Sequence, residues 1–482
     1  NINDCLREDH HPPHEPSYMS FPTHSCPEFR ASRRIHRRDL LQAGALSLLG
    51  AGWPTSARAA AGGSGPVGFG SAKACIFLFM WGGPSQLETF DPKPHAPAEV
   101  RGEFSPIDTA APGVQICELF QNLSQQMDKV AVVRSLNHTE PASILSAYAT
   151  LTGHWAPVIN SDAAPPSEKD TPHLGSMMSR LRPTPATLPA FVTMPWLALH
   201  PAAPGGRAPG QHGGWLGHKY DPFLVTGDPN DAKWEVPALR LIDGLSSDRL
   251  RNRRELLSLV DAQRAALERT AQVADVAGQQ QSAFQLLGSD RTRQAFDLND
   301  EPDAVRERYG RNLHGQCVLL ARRLVERGVP VVSVNWHNDG KNFWDTHGNN
   351  FNRMKNDLVP PADQALAALL DDLGERGLLD ETIVAWVGEF GRNPKIDRGN
   401  AGRDHWPRCY NGLLAGGGIT GGQVYGSSDA QGAYPKDYPV SPLDFAATIY
   451  HALGVAADQT VPDRTGRPQP VYGGHPLLPL FA

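Results

Sequence analysis

Two short runs in the last third of the chain carry the side chains best suited to chemistry. Asp345-Thr346-His347 sets a carboxylate and an imidazole two residues apart, and Arg403-Asp404-His405 puts a guanidinium, a carboxylate and an imidazole side by side. Between them, Gly388-Glu389-Phe390-Gly391-Arg392 places one carboxylate between two glycines. Oxygen and imidazole donors of this kind suit Zn²⁺, Mn²⁺, Mg²⁺ or Ca²⁺ rather than a thiolate site. The expectation is that Asp345, His347, Glu389, Asp404 and His405 converge on a divalent cation, which would polarise an ester oxygen or activate water. Arg392, Lys395 and Arg403 would hold an anionic group. Each run also has a plainer reading: a loop hydrogen bond for Asp345 with His347, and a buried ion pair for Glu389 with Arg392. What joins them is a shared position just past strand ends.

The strands that must position these loops are legible as short apolar, β-branched runs. Thr382–Val387 leads into Glu389, Val329–Trp336 leads towards Asp345, and Asn411–Leu414 follows His405. Ala74–Trp81 is apolar throughout, as a strand buried on both faces requires. Lys129–Arg134 and Pro189–Met194 read as two more strands. Helical spacing appears in Ser143–Leu151, Gly310–Arg327, Pro361–Arg376 and Ser441–Leu453, the last with a serine cap and a proline in its first turn. Strands alternating with helices give an α/β fold with a mainly parallel sheet, and such sheets place chemistry at the carboxyl ends of their strands. Residues 236–300, rich in Ala, Gln, Arg, Glu and Leu, read as a helical insertion.

Composition excludes some classes. At 482 residues the chain is long enough for a large core, and its net charge of −6 gives no basic footprint for nucleic acid. Residues 1–60 read as a disordered stretch followed by an export signal, because His36-Arg37-Arg38-Asp39-Leu40-Leu41-Gln42 resembles the twin-arginine motif. An apolar run and Ala57-Arg58-Ala59, a cleavage site, follow it. The expected location is therefore periplasmic or secreted. Residues 61–73 read as a Gly-rich linker and 74–482 as the working domain, with no integral membrane segment. Four cysteines lie beyond the signal, Cys75, Cys117, Cys317 and Cys409, at spacings that fit no metal motif.

Read together, several motifs resemble the exported "domain of unknown function 1501" family, a branch of the alkaline phosphatase and sulfatase superfamily. They are Gly82-Gly83-Pro84-Ser85 with Thr89-Phe90-Asp91-Pro92-Lys93-Pro94, Gly214-x-Leu216-Gly217, Arg308-Tyr309-Gly310, Trp344-Asp345-Thr346-His347-Gly348, Gly388-Glu389-Phe390-Gly391-Arg392 and Gly402-Arg403-Asp404-His405-Trp406. The resemblance implies an alkaline phosphatase-like sheet with helices on both faces, one or two divalent metals and a hydroxyl or formylglycine nucleophile. It implies metal ligation by Asp345, His347, Glu389 and His405. Ser143-x-x-Ser146 followed by Leu151-Thr152-Gly153-His154 is similar to the sulfatase signature and puts Ser143 at the nucleophile position, with His138 and Thr139 as rivals. Where the superfamily has a metal-binding Asp after its first strand, this chain has Trp81-Gly82-Gly83-Pro84-Ser85. Either Asp91 or Glu88 reaches in, or one metal site is lost. His212, in a Gly-rich loop, is a further substrate-contact candidate, and Trp336, Trp344 and Trp406 are either sugar-stacking or core residues. The implied activity is metal-dependent hydrolysis of sulfate or phosphate esters, on a small molecule or a polysaccharide; the alternative is an inactive binding or scaffold protein on the same fold.

Overall fold

A computed structural model describes residues 66–157, 163–185, 187–199, 207–239, 289–336 and 343–481. The signal-like region 1–60 and most of the expected insertion, residues 240–288, lie outside these.

Eight strands make one sheet. In chain order they are β1 (Ala74–Phe79), β2 (Val130–Leu136), β3 (Phe191–Met194), β4 (Phe223–Leu224), β5 (Val331–Asn335), β6 (Thr382–Val387), β7 (Tyr410–Ala415) and β8 (Gln423–Tyr425). Across the sheet they run β8-β2-β7-β6-β1-β5-β3-β4. Every pairing is parallel except the two made by β7, which runs against both β2 and β6. The expected mainly parallel α/β architecture is therefore present, with a single reversed strand.

Helices cover both faces. Along β1, Ile76 and Leu78 enter one apolar cluster with α3 (Leu313–Glu326) and α4 (Val359–Glu375). Cys75, Phe77 and Phe79 enter a second with α1 (Ser143–Thr152), α2 (Leu174–Leu181) and α5 (Pro442–Ala452). Alternate side chains of a strand point to opposite faces, so a central strand covered on both must be apolar at every position. α5 starts where its cap signal lies: Ser441 Oγ accepts from Asp444 N, and Asp444 accepts in return from Ser441 N.

Two boundaries differ from expectation. Residues 66–73 pack against α5 instead of hanging free, with Gly70 N donating to His451 O at 3.0 Å and Ala72 N to Ala452 O at 2.8 Å. The end of the expected insertion is also part of the body: Phe296, in the short helix Asp290–Phe296, is buried against Phe223, with ring centroids 5.5 Å apart.

Candidate metal centre

The carboxyl ends of β1, β2, β5 and β6 and the start of the reversed β7 share one rim, which is where the candidate loops leave the sheet. Three backbone bonds tie the loop after β5 to the loop before β7: Asn349 N to Asn400 O, 2.8 Å; Asn350 N to Ala401 O, 3.0 Å; and Arg403 N to Thr346 O, 3.0 Å. The approach is so close at Gly402 that a Cβ there would lie 1.8 Å from His347 O, so only glycine fits. The strap brings side chains 57 and 58 residues apart in sequence into contact.

Asp345 Oδ1, His347 Nε2 and His405 Nε2 form a nearly equilateral triangle. The two nitrogens are 3.0 Å apart, and each is 3.1 Å from the oxygen. The other ring nitrogens have acceptors: His347 Nδ1 lies 2.9 Å from Asp404 Oδ1, and His405 Nδ1 lies 3.4 Å from Pro141 O. Those partners assign the ring protons to Nδ1 in neutral imidazoles. Two nitrogen lone pairs and a carboxylate oxygen then face one point, where a bound cation would hold them together; without one, a proton on His347 Nε2 does so, and the Asp345 carboxylate raises the His347 pKa. Three ligands in a tetrahedron about Zn²⁺ stand roughly 3.3 Å apart, so the triangle fits to within a few tenths of an ångström and leaves a fourth position open. The three side chains are partly solvent-accessible, at 30%, 48% and 24% for Asp345, His347 and His405. Something from solution can therefore reach that position. Among the described residues this is the one group of three or more His, Cys, Asp or Glu side chains close enough to hold a metal.

The surroundings hold Asp345 as an anion. Burial alone would raise its carboxyl, but the His347 and His405 rings, whenever an Nε2 carries a proton, and the Arg392 guanidinium hold it well below the ordinary carboxylate range. Arg392 is fully buried and is anchored from several sides: Nη2 meets Asp345 Oδ1 at 2.6 Å and also Gly82 O, Nε donates to Gly83 O at 2.9 Å, and Nη1 donates to Arg403 O at 3.2 Å.

Several expected roles change. Arg392 was expected at an anionic substrate; its donors are instead taken by Asp345 and by backbone carbonyls, so it positions the Asp345 carboxylate. Arg403 is likewise fully buried, bonded to Glu88 Oε1 at 2.6 Å and Val100 O at 2.7 Å, and is closed to substrate. Asp404 is not in the triangle; it orients His347 from outside. Glu389 is not in the triangle either, and the plainer reading, an ion pair with Arg392, is not met: Arg392 pairs with Asp345. Glu389 Oε1 accepts from Gly82 N at 2.8 Å, while its buried Oε2 has no hydrogen-bond partner; burial pushes its pKa up to about 8. His138 is a strut and not an acid–base group: Nδ1 accepts from Glu140 N at 3.2 Å, Nε2 donates to Glu389 O at 2.7 Å, and burial pulls its pKa down to about 4. Trp336 and Trp344 are fully buried core residues.

Neither candidate stand-in for the missing first-strand carboxylate reaches the triangle. Asp91 is paired with Lys93 at 2.8 Å, and Glu88 is engaged by Arg403 and by Asn350 Nδ2 at 3.2 Å. The turn after β1 serves by close approach instead. Gly82 has φ +104°, and a Cβ on it would meet Asp345 N at 2.3 Å. The Gly-Gly pair was the sequence signal for that contact.

Ser143 is the first residue of α1, half-buried, two residues beyond the Pro141 carbonyl that meets His405. Lys395 is exposed. His212 lies elsewhere, with Nε2 3.1 Å from Asp170 Oδ2, on a cavity of about 360 Å³ that none of the triangle residues lines.

Among solved structures the chain is similar to a lipoteichoic acid synthase of Listeria monocytogenes, at 10% identity over 82% of this chain and 76% of that one, with a TM-score of 0.34. It is similar to a sulfatase of a Pseudoalteromonas species, at 14% identity over 80% and 69%, with a TM-score of 0.33. A phosphonate monoester hydrolase of Silicibacter pomeroyi matches at 12% identity over 85% and 76%, with a TM-score of 0.35. Likeness at this level extends to no particular residue. No curated protein matches the sequence. A family model does match, from residue 72 to residue 481, which takes in every strand of the sheet and all three triangle residues; the chain belongs to the family described as "Protein of unknown function (DUF1501)".

Proposed function

We propose that this protein is a metal-dependent hydrolase of sulfate or phosphate esters, working outside the cytoplasm after twin-arginine export. The observation that carries the reading is the triangle of Asp345 Oδ1, His347 Nε2 and His405 Nε2, with edges of 3.0–3.1 Å and an open side. Two imidazoles with one carboxylate favour Zn²⁺ or Mn²⁺ over Mg²⁺ and Ca²⁺, which prefer all-oxygen shells. When bound, a divalent cation supplies Lewis acidity towards a sulfuryl or phosphoryl oxygen. This chain's residues do the rest. Asp404 and Pro141 hold the two imidazoles in the donor tautomer, and Arg392 fixes the Asp345 carboxylate. Ser143, at the amino end of α1, offers a hydroxyl where helix N–H groups favour a developing anion.

A second reading, an inactive exported binding protein, is favoured by a different observation: Arg392 and Arg403 are both buried and internally engaged, so neither can hold an anionic substrate. Metal analysis of the purified protein, with turnover of aryl sulfates, aryl phosphates and phosphonate monoesters, separates the two. About one equivalent of Zn²⁺ or Mn²⁺, lost with activity in His347→Ala and His405→Ala, supports the hydrolase. Less than half an equivalent of any divalent metal, with no turnover, sinks it. Cell fractionation tests the export; protein confined to the cytoplasm excludes it.

A further inference from the structure

The large aromatic side chains exposed among the described residues are Phe69, Trp155, Tyr434 and Tyr438, and all but Phe69 attach to one place. That place is the carboxyl end of β2. Ser135 Oγ, within β2, donates to Tyr438 O at 2.6 Å. His138, two residues past β2, packs on Trp155 with ring centroids 6.4 Å apart. His138 N also donates to Pro407 O at 2.9 Å, and the preceding Trp406 packs edge-on against Tyr434 at 5.7 Å. Trp406 adjoins His405, and the chain leaving β2 passes His405 at Pro141. The aromatic rim thus runs into the metal centre.

Tyr438 is the least comfortable of the three. It is 70% exposed, and its φ of +47° lies in the left-handed region, which a bulky L-residue rarely adopts. Neither ring exposure nor backbone strain helps this fold, and such pairs of disfavoured features gather where a ligand binds. Exposed Arg408 and Lys436 stand among these rings in sequence, and neither has a carboxylate partner among the described residues. Nearby acids are committed: Asp404 to His347, and Asp437 to Ser427 Oγ at 2.5 Å. Aromatic faces interleaved with unpaired cations suit sugar rings bearing anionic groups better than a protein partner.

We infer that Trp155, Tyr434 and Tyr438, with Arg408 and Lys436, form a binding rim for an anionic polysaccharide leading to the metal centre. This rests on the ester-hydrolase reading for its direction but not for its test. Affinity electrophoresis of EDTA-treated protein through gels holding chondroitin sulfate, carrageenan, alginate or neutral dextran reads binding without turnover. Retardation is expected in at least one anionic gel and not in dextran. It should weaken about tenfold (~1.4 kcal/mol) in the Tyr434→Ala/Tyr438→Asn double variant and in Trp155→Ala, with circular dichroism unchanged. Absence of retardation in every anionic gel overturns the inference. So does retardation that survives in the aromatic variants and disappears only in Lys436→Glu and Arg408→Glu, since that is plain charge attraction. A concentration-dependent dimer that dissociates on Tyr438→Asn, with no glycan binding, assigns the rim to a second copy of the chain and likewise overturns it. Glycan binding by a protein that holds no metal leaves the inference standing while the hydrolase reading falls.

Discussion

Replacing Asp404 by Ala tests the assembly of the candidate metal centre without touching a proposed ligand atom. The Asp404 side chain is 71% exposed, so its loss should leave folding stability within roughly 0.5 kcal/mol of the wild type. Its one structural contact with the centre is the 2.9 Å bond to His347 Nδ1. Without it, no carboxylate holds the proton on Nδ1, and only the packing against His405 keeps the Nε2 lone pair directed at the triangle. Removing such an orienting carboxylate typically costs 10- to 100-fold in metal affinity. Exposure to water weakens this bond, so the expected loss lies at the low end, about tenfold, or ~1.4 kcal/mol. Asp404→Asn keeps a neutral acceptor and should fall between the two. His347→Ala removes a ligand outright and should lose more than Asp404→Ala. The measurement is Zn²⁺ competition against a chromophoric chelator on EDTA-treated protein, beside urea unfolding of the apo forms. Wild-type affinity in Asp404→Ala, with His347→Ala strongly weakened, refutes the reasoning, because His347 would then be oriented by something else.

The strap between the two loops gives an opposed pair of variants. Gly402→Ala forces a Cβ into His347 O and should destabilise the fold by about 1–3 kcal/mol while lowering metal stoichiometry, as urea unfolding and metal analysis would show. Ala401→Gly relieves a φ of +54° and should stabilise by about 1 kcal/mol with metal binding unchanged. Away from the centre, Glu301 is buried, which raises its carboxyl, but bonds from Arg322 and Arg323 outweigh this and leave its pKa lowered. A lowered folded-state pKa contributes stability above the unfolded value of about 4 and loses it as pH falls through the folded one. Stability should therefore drop more steeply below about pH 5 in the wild type than in Glu301→Gln, as read by urea midpoints across pH. Cys75, Cys117, Cys317 and Cys409 are free and buried, and burial pushes every one of their thiols up. None of the four should react with a thiol reagent until the protein is unfolded.

Sequence reading located most of the sheet. Thr382–Val387 is β6 to the residue, and Ala74–Trp81 overran β1 by only two, because a strand covered on both faces must be apolar throughout. Pro189–Met194 began two residues before β3, and both edge strands went unnoticed, since Phe223–Leu224 and Gln423–Tyr425 are too short to show a period. Among candidate ligands, Asp345, His347 and His405 come together; Asp404 and Glu389 stand one step back.

What the sequence alone determined is the alternation of strand and helix, the rim at which chemistry can gather, and the kinds of side chain present there. Those follow from local periodicity and from residue chemistry, which neighbours along the chain suffice to express. Only the tertiary structure decided which donors meet and which are already engaged. Arg392 and Arg403 read as free cations in one dimension, yet burial leaves a guanidinium viable only where fixed acceptors surround it, and here those acceptors are Asp345, Glu88 and backbone carbonyls. Contacts spanning 57 or more residues depend on loop closure and on glycines that let backbones touch, and no local pattern records them.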